Sequence, residues 1–208
     1  MTAIHYAAFN GDLQLLRELV AYGADIHIKN DTGMSALQFA AQGNQAAVIT
    51  YLLDCHKFDI DQADAKRSSA LHWAIFNSNE LALSFLLARN PNVNAKDVKG
   101  VTPLHLAVVS AEKQISLIRM LLMHGADPHI KDLKGRTPLV YAKEKNKEHE
   151  EWRNNVINML EDAMEVNKGF CKRIKGAFVL DTPIYKIRRS RKTMVGFIST
   201  MIVSQLLL

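Results

Sequence analysis

A hexapeptide recurs along this chain at nearly constant spacing, and that recurrence limits the possible architectures more than any local propensity does. It reads Thr2-Ala3-Ile4-His5-Tyr6-Ala7, Ser35-Ala36-Leu37-Gln38-Phe39-Ala40, Ser69-Ala70-Leu71-His72-Trp73-Ala74, Thr102-Pro103-Leu104-His105-Leu106-Ala107 and Thr137-Pro138-Leu139-Val140-Tyr141-Ala142. The steps between first residues are 33, 34, 33 and 35. A period of this length marks a stack of supersecondary units. Each unit is too small to bury its own apolar face and relies on its neighbours to cover it.

Other features recur in phase. A second apolar segment ends in Leu19-Val20, Leu52-Leu53, Leu86-Leu87 and Leu121-Leu122. Gly-Ala-Asp follows at Gly23 and again at Gly125, and polar turns such as 29–33, 96–100 and 131–135 separate the units. Together these motifs resemble the ankyrin repeat, which implies an all-α solenoid of helix–turn–helix units joined by hairpin loops. The expected array covers residues 1–165 in five repeats: 1–33, 34–67, 68–100, 101–135 and 136–165.

Local chemistry agrees with that organisation. A Thr or Ser hydroxyl suits the N-cap of each first helix, and Pro103 and Pro138 suit its first position, where a missing N–H costs little. Leu37, Leu71, Leu104 and Leu139 are expected to point into the stack. Gly23 and Gly125 fall where second helices end, and Gly33, Gly100 and Gly135 fall in tight turns; both places favour positive φ. Residues 54–57 and 88–91 lack the helix-ending glycine, so distorted connections are expected there. Ile4, Leu13 and Leu16 of the first repeat are expected to be partly uncovered, with further residues preceding them in the parent protein. After the charged run 143–151, the spacing of Trp152, Val156, Ile157, Leu160, Ala163 and Met164 predicts a closing helix with one apolar face.

The net charge of +5 is unevenly distributed. Residues 1–142 carry 13 basic and 13 acidic side chains, 143–167 carry 4 and 7, and 168–208 carry 9 and 1. Basicity therefore belongs to the segment 166–193, where Lys186, Arg188, Arg189, Arg191 and Lys192 are the candidate membrane-surface residues. Residues 194–208 are apolar to the end. At about 1.5 Å per residue they span less than a bilayer core of about 30 Å, as a transmembrane helix cut in mid-span would. Lys and Arg next to such a span favour the cytosolic side and attract anionic lipid. Because the apolar run follows so closely, a membrane surface is favoured over nucleic acid as the partner of these charges.

No catalytic, metal-binding or cofactor-binding pattern is present. Cys55 and Cys171 are the only cysteines and lack ligand spacing, which fits a reducing compartment. The repeat histidines His5, His72 and His105 are expected to hydrogen-bond neighbouring turns. What remains is recognition of a protein, as a peptide or a folded domain, in the groove of the array. Trp73, with Phe39 and Tyr6 at the same repeat position, forms the candidate aromatic strip, since aromatic side chains anchor interfaces.

The order of elements is a helical array, a basic juxtamembrane segment and then an apolar span. Together with Ala70-Leu71-His72-Trp73-Ala74 and Val101-Thr102-Pro103-Leu104-His105-Leu106-Ala107-Val108, it resembles the N-terminal part of the ankyrin-repeat DHHC protein S-acyltransferases (palmitoyltransferases). That resemblance implies a cytosolic array on a Golgi-type endomembrane that recruits substrates, with Trp73 in the substrate groove. It carries over no catalytic residue, because no Asp-His-His-Cys occurs in these 208 residues. The alternatives are a free-standing membrane-anchored ankyrin scaffold and the N-terminal region of an ankyrin-tethered ion channel.

Overall fold

The computed structural model describes residues 1–110, 115–144 and 150–167. The basic segment from residue 168 onward, with Lys186, Arg188, Arg189, Arg191 and Lys192, and the apolar run 194–208 lie outside the described residues. So does Cys171. Among the described residues no helix is long and apolar enough to cross a membrane.

Among the described residues, ten helices follow one another in pairs. The first helices of successive repeats are α1 (Ala3–Asn10), α3 (Ala36–Gln42), α5 (Ala70–Phe76), α7 (Pro103–Ser110) and α9 (Pro138–Glu144). The second helices are α2 (Leu13–Ala21), α4 (Ala46–Cys55), α6 (Glu80–Leu87), α8 (Ile115–Met123) and α10 (Glu150–Asn167). First helices pack in one row and second helices in another, with the apolar core between them. Leu37, Leu71 and Leu104 are fully enclosed, as are Leu52, Leu86 and Leu121 of the second row. Ala40, Ala74 and Ala107 are equally buried, because adjacent first helices approach too closely for a larger side chain. The closing helix α10 buries Val156 and Leu160 and leaves Glu151, Glu161 and Asp162 in water.

The first turns of α1, α3 and α5 each form a capping box. The third helical residue reaches back to the N-cap backbone: His5 Nδ1 accepts from Thr2 N–H at 3.1 Å, and Gln38 Oε1 from Ser35 N–H at 2.6 Å. His72 and His105 do the same for Ser69 and Thr102, at 3.1 and 3.2 Å. The interaction satisfies a donor that the helix itself leaves unpaired.

Hairpin loops join the repeats, and one Asx side chain builds each of them. Oδ1 of Asn30, Asp64, Asp97 and Asp132 accepts the backbone N–H groups two and four residues later, at 2.8 to 3.0 Å. Successive hairpins are tied together by Ala65 N–H to Thr32 O, Val98 N–H to Lys66 O and Leu133 N–H to Lys99 O, at 2.9 to 3.0 Å. Gly100 (φ 75°) is needed there twice over. Its backbone is left-handed, and an added Cβ would meet Leu133 N at 2.9 Å.

One expectation is refined and one corrected. After α4 and α6, Lys57 (φ 52°) and Asn90 (φ 54°) adopt the left-handed backbone that Gly23 and Gly125 adopt in the other repeats, but the closing bonds differ. Ala24 and Ala126 donate to Leu19 O and Leu121 O, whereas Phe58 reaches back to Leu52 O at 3.3 Å and Pro91 has no N–H to donate. Packing of the neighbouring repeats dictates the turn, and a non-glycine residue accepts the strain. In the first repeat, Ile4 and Leu16 are buried, because both face the α1–α2 and α1–α3 contacts. Leu13 is half-buried, and Met1, Tyr6, Phe9, Leu15, Tyr22 and Ile28 are the exposed large apolar residues of this repeat.

Candidate functional site

Each first helix presents the positions four and seven residues after its N-cap on the side of the hairpins. The two positions lie one turn apart on the same helix face. In the fourth repeat they are Leu106 and Val109, which form the floor of an open groove of about 540 Å³. Its walls are the hairpin tips Val98-Lys99 and Leu133-Lys134, with Tyr141 from α9. The equivalent pairs earlier in the stack are Tyr6/Phe9, Phe39/Gln42 and Trp73/Phe76. Exposed apolar side chains cluster on this face: Tyr6, Phe9, Phe76, Val98, Val109 and Leu133, the last 79% exposed. The backbone ladder between hairpins holds Val98 and Leu133 in place, so the groove is organised before any partner arrives.

The position four residues after the N-cap also has a structural role. Trp73 Nε1–H donates to Asp64 Oδ2 at 3.1 Å, and Tyr141 O–H donates to Asp132 Oδ2 at 2.7 Å. In both cases the aromatic donor lies nine residues after the hairpin carboxylate. Arg136 adds a contact to Asp132 at 3.0 Å and stacks over the Tyr141 ring at 4.2 Å. Burial works against the charge of Asp132, yet the Arg136 N–H, the Tyr141 hydroxyl and the guanidinium outweigh it and hold its carboxyl well below the usual range. The Tyr141 hydroxyl is pushed up to about 12 by burial and by this carboxylate.

The candidate aromatic strip is therefore discontinuous. Tyr6 is 56% exposed, Trp73 is half-buried and Phe39 is only 5% exposed. Phe39 lies against the His5 ring with centroids 4.9 Å apart, as Tyr141 lies against His105 at 5.4 Å. That placement removes Phe39 from the surface and assigns it to the joint between repeats. Trp73 is committed along its N–H edge, while its ring meets the more exposed Phe76 edge-on at 6.1 Å. Phe76, Val109, Val98 and Leu133 were not singled out from the sequence. The signal for Phe76 and Val109 is their place three residues after Trp73 and Leu106.

The motif histidines sit behind the groove. His5, His72 and His105 direct Nε2 at the carbonyls of Ile28, Val101 and Arg136, at 3.2, 3.3 and 3.1 Å. A carbonyl only accepts, so Nε2 carries the proton and Nδ1 is free to accept at the N-cap. Burial is the largest influence on each and lowers its pKa, keeping the rings neutral. Among the described residues no group of three or more His, Cys, Asp or Glu could hold a metal ion.

A row of helix pairs, tied by hairpins and lined on one face by exposed apolar side chains, defines a repeat-built recognition module. The chain belongs to the ankyrin-repeat family: the family profile, described as ankyrin repeats in three copies, matches residues 4–97 and 83–168. It is similar to the palmitoyltransferase AKR1 of Lachancea kluyveri, 29% identical over 148 residues, covering 70% of this chain and 20% of that protein. The putative palmitoyltransferase ZDHHC13 of Danio rerio is 30% identical over 136 residues, covering 65% of this chain and 21% of the relative. The B-cell lymphoma 3 protein homolog of Mus musculus is 33% identical over 148 residues, covering 68% and 32% respectively. The chain thus spans a fifth to a third of the length of these relatives.

Proposed function

We propose that this chain is a protein-binding module whose partner seats in the groove between the hairpins and the first helices. One observation carries the reading: the exposed apolar side chains Phe76, Val98, Val109 and Leu133 line this face on a backbone already fixed by inter-hairpin hydrogen bonds. Trp73 and Phe76 form the aromatic centre of that surface and Tyr6 extends it at the first repeat.

The likeness to two palmitoyltransferases supports a narrower role, as the substrate-recruiting region of a membrane-bound protein S-acyltransferase. In this arrangement residues 1–165 form the recognition array on the cytosolic side. Residues 166–193 rest on anionic lipid through Lys186, Arg188, Arg189, Arg191 and Lys192, and 194–208 begin a membrane span. This chain then supplies binding, and acyl transfer belongs to other parts of the protein.

Two experiments test these levels separately. A photo-crosslinking residue at position 76 or 133 should capture a membrane-associated protein that the same residue at position 81 does not, and Val109→Glu should abolish the capture. Equal capture from position 81 would refute the groove. Sequencing the transcript beyond the codon of Leu208 tests the narrower role. An encoded Asp-His-His-Cys supports it, whereas an in-frame stop or a six-span pore replaces it with an anchored scaffold or a channel.

A further inference from the structure

We propose that the groove over the third to fifth repeats takes an acidic peptide segment. Its apolar side chains seat against Phe76, Val109 and Leu133 while its carboxylates face Lys66, Lys99 and Lys134. The proposal rests on the groove being the protein-binding surface and names the chemistry of its occupant.

Charge varies along the row of hairpins. The first, at 29–34, carries one lysine and one aspartate. The three that follow place Lys66-Arg67, Lys96 with Lys99, and Lys131 with Lys134 at or beside their tips. Residues 64–68 carry two basic and one acidic side chain, 96–100 two and one, and 131–136 three and one, so each hairpin stays net positive with its aspartate ionised. Oδ1 of Asp64, Asp97 and Asp132 is taken up by two backbone N–H groups of its own hairpin, at 2.8 Å each. Oδ2 of Asp64 is engaged by Trp73, and Oδ2 of Asp132 by Arg136 and Tyr141. Lys66, Lys99 and Lys134 are exposed, and among the described residues none of them forms an ion pair.

The groove floor carries the opposite information. Helices α5 and α7, read from Ala70 to Phe76 and from Pro103 to Ser110, contain no charged residue. A basic rim beside an apolar, uncharged floor selects a ligand with both kinds of group. The carboxylates set orientation and encounter rate, and the apolar side chains supply buried area. A lipid surface would match the rim but brings no side chain to fill the floor, so a peptide is favoured over a membrane.

The test is a phage-displayed library of random 12-residue peptides selected on the full chain in a neutral detergent. The retained peptides should be enriched at least about three-fold in Asp and Glu over Lys and Arg, and should carry Leu, Phe or Trp. On the variant Lys66→Glu/Lys99→Glu/Lys134→Glu the charge preference should reverse, and a peptide selected on the native chain should bind about ten-fold more weakly. The neutral variant Lys99→Gln/Lys134→Gln should show a smaller loss. Circular dichroism should be unchanged in both, since these side chains are exposed.

Because residues 168–208 are strongly basic, the selection is repeated on Arg188→Gln/Arg189→Gln/Arg191→Gln, where the acidic preference should persist. Loss of the preference in that variant would overturn the inference. Apolar peptides that depend on Phe76 but show no acidic bias would also overturn it while leaving the groove reading intact. Peptides indifferent to both Phe76 and the lysines would overturn both. Binding to phosphatidylserine vesicles through Lys66, Lys99 and Lys134, with no peptide selected, would replace the peptide with a lipid surface.

Discussion

Replacing the buried histidines with glutamine should remove most of the stability loss on mild acidification. His5, His72 and His105 each accept a backbone N–H at Nδ1 and donate from Nε2, and all three are almost fully buried. A second proton would turn Nδ1 into a donor facing a donor, and burial adds to the penalty. Their folded pKa values therefore lie below the ordinary 6.5. The sign follows: the unfolded chain binds these protons first, so stability is complete above about pH 6.5 and falls as pH drops below it, toward each folded pKa. Between pH 7.5 and 5.5 one such histidine contributes at most about 1.4 kcal/mol. Burial lowers the pKa of all three, so together they contribute no more than about 4 kcal/mol over this range.

The second repeat shows the remedy. Gln38 occupies the same site, accepts from Ser35 N–H at 2.6 Å and donates to Gln62 O at 3.1 Å without a titrating group. His5→Gln/His72→Gln/His105→Gln should therefore match the native chain at pH 7.5 and exceed it by that margin at pH 5.5. Urea denaturation at the two pH values, followed by circular dichroism, measures the difference. An equal loss in both proteins would refute the argument and place the pH sensitivity in other groups, such as His56, whose pKa burial also lowers.

Three further outcomes follow from the packing. Trp73→Ala should cost about 2–3 kcal/mol, because it removes a half-buried ring and leaves Asp64 Oδ2 without its donor. Trp73→Phe/Asp64→Asn should recover most of that in a urea-melt comparison, since Asn30 with Phe39 already makes this combination. Lys57→Gly and Arg67→Gly should each stabilise the chain by roughly 0.5–1 kcal/mol by relieving left-handed backbone at φ 52° and 59°; a loss on thermal melting would contradict the strain. Leu104→Ala, at a fully buried site, should cost about 2–5 kcal/mol, and a value near zero would show that the stack collapses around the gap.

The sequence period made the helix pairs, the hairpins and the inward leucines legible, because each repeat spells the same motifs at the same offsets. What it hid depends on neighbours outside a repeat. Tyr6, Phe39 and Trp73 share one repeat position yet differ in exposure. Phe39 is enclosed against His5 of the repeat before it, whereas Tyr6, in the first repeat of these 208 residues, is exposed. The left-handed turns at Lys57, Asn90 and Arg67 escape a rule that looks for glycine, since the stacked repeats impose the turn. The groove was only half legible: Trp73 stood out by its size, but the binding surface also needs Phe76, Val109 and the hairpin tips, which carry no distinctive motif.

Partners should occupy the hairpin side of the first helices, and hydrogen–deuterium exchange on the full chain, with and without a saturating peptide recovered by selection, locates them. Protection should appear in segments 96–109 and 131–141 and be absent from α2 and α4. Protection confined to the second helices would place the partner on the opposite side of the stack and rule out the groove.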